Sequence, residues 1–282
     1  MNQGYFYLCL GKYYIEESCN LVDTIKIHDK IRKHGALVNK EDYDFALSTG
    51  RFDVIIINDY SNELYKFEKT SFEKYCLIPR LLFPTFLPFE ESIVIDSDVL
   101  CIWSMEDVWR IFSNFGQDIC MCGYVKDSSW HWGTIDNVSA SYGKTIPHTH
   151  GGIFYIRKTE KCKQFFKDCI QFFHDYDKYG FLKKFRGGRV DEPIFAISMA
   201  KNNMIPVDFV DYQIMTFNLE SGCVLPCNIQ TEGGRNISCG NNFPLVHMFE
   251  KMTGKNYRYV LNEAIKITTT SNPSVDQSTI FG

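Results

Sequence analysis

The run Ser92-Ile93-Val94-Ile95, followed at once by Asp96-Ser97-Asp98, constrains this chain more than any other feature. Consecutive β-branched residues suit a strand covered on both faces, as in a parallel sheet under helices. Two carboxylates directly beyond it fall where open α/β sheets bind ligands, past the carboxyl ends of their strands. Held at i and i+2 by the turn, they repel each other unless a cation joins them. Oxygen ligands suit Mg2+ or Mn2+, which keep positions for substrate phosphates and raise the leaving ability of a diphosphate. The plainer role for such a pair is one turn cap and one solvated acid.

Other segments alternate strand and helix. Tyr5–Leu10 reads as a buried strand ending at Gly11, and a helix over Glu16–Lys33 is expected to end at Gly35. Ala36–Val38 and Val54–Ile57 read as strands, the second covered on both faces. A helix over Ser71–Phe83 should kink or break at Pro79. Ser104–Trp109 resembles a capped helix start, and strands are expected over Asp118–Tyr124 and Gly152–Ile156. An amphipathic helix from Thr159 to Tyr179 places Phe165, Cys169, Phe172, Phe173 and Tyr176 on one face. Asp191-Glu192-Pro193 opens another helix. The pattern predicts one α/β domain over residues 1–267, a Rossmann-like, mostly parallel sheet flanked by helices, then a polar, disordered tail over 268–282.

A net charge of −4 gives no basic field for nucleic acid or an anionic membrane. The eleven cysteines lack metal-site spacing and read as small, buried, reduced residues. With no signal peptide and no run near the roughly 20 apolar residues of a membrane span, the expected location is the cytoplasm.

Taken with Phe72–Leu82 and Ile93–Leu100, Asp96-Ser97-Asp98 resembles the D-x-D region of GT-A glycosyltransferases, most closely glycosyltransferase family 8. His150-Gly151-Gly152-Ile153 is similar to that family's N-[ST]-G-V strand, with His and Gly in the first two places. Asp191-Glu192 resembles its D-Q pair, with Glu for Gln. Leu245-Val246-His247, followed by Gly254-Lys255, resembles its terminal H-F-x-G-x-x-K segment in stretched form.

The resemblance implies transfer of a hexose from a UDP-sugar to an acceptor with retention of configuration. It implies Asp96, Asp98 and His247 as ligands of Mn2+, with Mg2+ as the alternative. Asp191 and Glu192 would face the reacting sugar, Tyr14 would stack on the base, and Gly152 would let the backbone approach the donor. Lys74, Lys251 and Lys255 are the cationic candidates for the diphosphate, with Arg80 the alternative to Lys74 on the same helix. The acceptor, whether glycan, lipid or protein, and the oligomeric state are left open.

Each of these residues has a plainer role. His247 sits in an apolar context where a lone histidine is usually core, and Asp191 suits any helix start. A His148/His150 metal pair has no third partner in sequence. Trp130-His131-Trp132 reads equally as an acceptor platform or a buried loop anchor. Three competing classes remain. In a haloacid-dehalogenase-like phosphatase the first Asp is a nucleophile, but the motif normally lies near the start of the chain. A sugar nucleotidyltransferase would show a Gly-rich basic loop after the first strand. A non-catalytic glycan-binding module would show no metal-linked nucleotide binding.

Overall fold

The computed structural model describes residues 2–101, 104–124, 139–140, 143–179, 181, 187–208, 211–212, 214–216, 229–230, 236–237 and 245–247. The strands among the described residues are β1 (Gln3–Cys9), β2 (Lys33–Val38), β3 (Val54–Ile57), β4 (Glu91–Ile95), β5 (Val99–Cys101), β6 (Ile119–Tyr124), β7 (His148–Arg157), β8 (Val207–Asp208), β9 (Met215–Thr216), β10 (Ile229–Gln230), β11 (Asn236–Ile237) and β12 (Leu245–His247). The helices are α1 (Lys12–His28), α2 (Tyr43–Ser48), α3 (Ile78–Leu81), α4 (Phe83–Phe86), α5 (Glu106–Asn114), α6 (Glu160–His174) and α7 (Asp191–Lys201).

Seven strands form one sheet in the order β3-β2-β1-β4-β7-β6-β8. The first four are mutually parallel, β7 runs antiparallel to both β4 and β6, and β8 is parallel to β6. The sheet is thus mostly parallel with one reversed strand at its centre. A second sheet, β5-β12-β9, stands beside the end of β4, and β10 pairs with β11.

Alternation along the strands separates two cores. Phe6, Val94, Met121 and Phe154 face a layer that includes Phe83, Phe165, Phe166 and Phe195. Tyr5, Tyr7, Ile93, Ile95 and Tyr155 face the layer of α1 and α5, against Leu21, Ile25, Trp109 and Phe112. Both faces are covered, which is why β1 and β4 read as unbroken apolar runs.

Several boundaries differ from the sequence reading. Helix α1 begins at Lys12, where Gly11 adopts φ 130°, a conformation L side chains rarely take. It stops at His28 rather than Lys33 because Asp29 is extended and its carboxylate accepts the amides of Ile31 and Arg32. Gly35 lies within β2 and terminates nothing. Strand β3 is a sheet edge, so Val54–Ile56 are half-buried and Ile57 is exposed rather than covered on both faces. At Pro79 itself the helical path does not break: a π turn over Glu73–Leu77 precedes the proline, α3 carries it to Leu81, and the break falls at Leu82, before α4. A proline cannot donate an amide hydrogen, and the widened turn accommodates it. Thr159 caps α6 by accepting the Cys162 amide (3.1 Å), but α6 ends at His174 and a 3-10 turn covers Tyr176–Tyr179.

The eight described cysteines are free, and six are buried. The tail 268–282 and Trp130-His131-Trp132 lie outside the described residues.

Candidate active site

Strand β4 ends at Ile95, and the Asp96 amide continues the ladder by donating to the Gly152 carbonyl on β7 (3.0 Å). Asp98 follows and leads into β5. Strand β12 pairs antiparallel with β5 and sets His247 opposite Val99, one residue past Asp98. That pairing brings together residues 149 positions apart: His247 Nε2 lies 3.0 Å from Asp98 Oδ1. One ligand atom from each of Asp96, Asp98 and His247 falls within 4.8 Å of the others.

These three residues line a cavity of about 360 Å3, with Tyr13, Tyr14 and Glu17 from α1 on one side and His150, Gly151 and Gly152 from β7 on another. Leu8, Leu10, Phe72 and Tyr75 give it an apolar wall, and Asp191 and Glu192 close it at the start of α7. A cleft with an apolar wall and a few convergent polar groups is the usual form of a small-molecule site.

Arg80 occupies the centre. Its guanidinium bridges Asp96 and Asp191, and Gly151 packs directly beneath. A Cβ on Gly151 would stand 2.9 Å from both Arg80 Nη1 and Asp191 Oδ2, so glycine at this position makes room for the ion pair. Burial raises the Asp96 pKa and the Asp98 charge adds to this, against the opposing pull of Arg80. For His247, burial works against the charged ring, but the hydrogen bond and charge of Asp98 outweigh it and leave the pKa raised.

Of the residues singled out in sequence, Tyr14, Asp96, Asp98, Gly152, Asp191, Glu192 and His247 share this cavity. Glu192 Oε1 accepts the Gly151 amide at 3.4 Å. Lys74 does not line it: its ammonium lies 3.7 Å from Glu68 and over the Tyr60 ring, because the π turn sets Arg80, not Lys74, toward the carboxylates. Lys251 and Lys255 lie outside the described residues. His148 lies tilted against Tyr124, whereas His150 meets His247 edge-on with ring centroids 5.3 Å apart. Glu17 gave no sequence signal; buried in the cavity wall, it accepts the Ser97 hydroxyl (3.1 Å).

The donor set fits a divalent cation. Two carboxylates and an imidazole converge, and no residue but Arg80 supplies a permanent positive charge among the described residues lining the cavity. No described helix is long and apolar enough to cross a membrane.

This strand order, with an acid pair beyond β4, is the GT-A-type fold found in glycosyltransferases. The chain is similar to the galactosyltransferase LgtC in complex with donor and acceptor sugar analogues, with TM-score 0.61, 10% identity and 98% of each chain covered. An active-site mutant of LgtC in which glutamine is replaced by glutamate gives TM-score 0.62 at 11% identity, again over 98% of each chain. Mouse xyloside xylosyltransferase 1 gives TM-score 0.57 at 11% identity, over 90% of this chain and all of that one. No protein-family model and no curated protein sequence matches the chain.

Proposed function

We propose that this chain is a metal-dependent glycosyltransferase that moves a hexose from a UDP-sugar to an acceptor hydroxyl with retention of configuration. The observation that carries the reading is the convergence of Asp96, Asp98 and His247 beyond β4, inside a cavity large enough for a nucleotide-sugar's reacting end. The fold shared with LgtC and the xylosyltransferase supports it, and retention rests on the family-8 resemblance.

Asp96, Asp98 and His247 would hold Mn2+, or Mg2+ with the carboxylates dominating. Bound there, the cation supplies charge neutralisation for the departing UDP. The chain's own groups divide the remaining work. Tyr14 offers a ring face to the base. Arg80 provides a fixed positive charge beside the acids, and Asp191, oriented by Arg80, accepts sugar hydroxyls. Gly152 lets the donor approach the backbone, and Glu192 stands at the same rim. Lys251 and Lys255 remain candidates for the diphosphate. The acceptor is a glycan, lipid or protein hydroxyl.

Calorimetric titration of UDP, GDP, CMP and ADP, with Mn2+ and then with EDTA, tests this. UDP should bind only with metal, and Asp98→Ala should abolish binding while leaving the protein folded. Absence of any metal-dependent nucleotide binding would sink the reading and favour a glycan-binding module.

A further inference from the structure

We propose that the buried Glu73–Arg189 ion pair is a positioning latch that sets Arg80 and Asp191 against the donor sugar; this rests on the glycosyltransferase reading. Glu73 is fully buried and Arg189 nearly so, although 116 residues separate them. Glu73 Oε1 accepts the Arg189 amide (2.8 Å) and Nε (2.9 Å), while Oε2 accepts Arg189 Nη2 (2.8 Å) and the Lys69 amide (2.6 Å). Four donors fill the roughly four lone-pair sites of a carboxylate, so Glu73 has no capacity left for a ligand. Arg189 also donates to the Phe67 and Phe173 carbonyls, and its guanidinium carbon lies 3.7 Å from the Phe173 ring centre.

The two segments so joined are those that build the centre of the cavity. Glu73 begins the π turn that leads to Arg80, and Arg189 precedes Asp191 by two residues. The joint is therefore a pair of crossed bridges: acid 73 to base 189, and base 80 to acid 191. The segments also press together at Gly188, where a Cβ would lie 2.6 Å from Thr70 Oγ1 and 3.1 Å from Glu73 Oε1. A buried ion pair seldom stabilises more than apolar packing would, but a saturated, forked one admits a single register. Slippage of either segment would misplace both Arg80 and Asp191, while the Asp96 backbone is held by its bond to Gly152, and Asp98 and His247 are set by the pairing of β5 with β12, remote in sequence from the latch.

The test uses the full chain and the variants Glu73→Gln and Arg189→Lys. Because the latch sets geometry rather than affinity for the nucleotide, UDP affinity with Mn2+ should stay within about threefold. Turnover of UDP-glucose or UDP-galactose, read as UDP release, should fall in kcat by roughly a hundredfold with KM little changed. Arg189→Lys, which keeps the charge but loses the fork, should fall less than Glu73→Gln. Loss of UDP binding in proportion to kcat, or unchanged kcat, would overturn the latch. A second readout needs no nucleotide: the Arg80 Nε–H resonance, assigned with Arg80→Lys, should be sharp in the unaltered protein and shifted or broadened in both variants. If the unaltered protein binds no UDP, the glycosyltransferase reading fails by itself. An Arg80 resonance indifferent to both variants then removes the latch as well.

Discussion

On the α1 face of the sheet, a chain of hydrogen bonds joins buried aromatic side chains, although His34 Nε2 is buried without a partner among the described residues. Trp109 Nε1 donates to the Tyr5 hydroxyl (2.9 Å), which donates to Asp29 (2.7 Å), and the Tyr7 hydroxyl pairs with His34 Nδ1 (2.9 Å). At the end of β4 the balance is different. Five carboxylates (Glu17, Asp96, Asp98, Asp191 and Glu192) line the cavity against Arg80 and two imidazoles, counting described residues. The closed network pairs its one acid, Asp29, with Arg32 and serves the fold. The open one has more acids than cations among its described lining residues, a balance that suits a cation from outside. The contrast separates a binding site from a polar core without reference to any relative.

Arg80→Met strikes the open region hardest. It leaves the buried Asp191 and the half-buried Asp96 without their counter-charge and should cost about 3 kcal/mol in urea unfolding. Mn2+ should recover part of that loss; full stability without metal would break the comparison.

Acid should next reveal the closed region. Burial, with some help from Lys26, lowers the His34 pKa to about 4, and burial lowers that of His28 to about 4. Both rings are protonated more readily in the unfolded chain, so stability is intact above roughly pH 6.5 and declines as pH falls toward the folded pKa. The share of His34 should be on the order of 2–3 kcal/mol. Urea midpoints between pH 7 and pH 4.5 check it, and His34→Asn should flatten the decline.

Tyr5→Phe removes one link between Trp109 and Asp29 and should cost about 1–2 kcal/mol, with metal-dependent UDP affinity unchanged. A change in that affinity would mean that the two regions are coupled. The smallest effect belongs to Glu17→Gln, which keeps an acceptor for Ser97 but removes one of the surplus charges. Its stability should stay within about 0.5 kcal/mol of the unaltered protein, with UDP–Mn2+ affinity a few times weaker.

The unequal legibility of these regions has physical reasons. Strand β4 and its acid pair show in sequence because burial on both faces and the break into aspartates are local events. The reversal of β7 does not show, since a strand buried on both faces carries no mark of direction. Arg80 and Lys74 could not be ranked because the choice depends on helical phase, and the π turn shifts that phase without a signature beyond Pro79. His247 stands out in sequence only through a resemblance; its contact with Asp98 depends on a pairing of β5 with β12 that no local pattern encodes. Glu17 and Glu73 look like ordinary helix-surface acids until tertiary packing buries them.

Gly151 also imposes an order on sequence change. A serine or threonine there would press on the ends of Arg80 and Asp191 at once, so it is admitted only as those side chains shift to make room. The reverse path, from a side chain to glycine, meets no such obstacle. Lineages descending from a glycine-bearing ancestor would thus find glycine the easier residue to keep for as long as the ion pair stands.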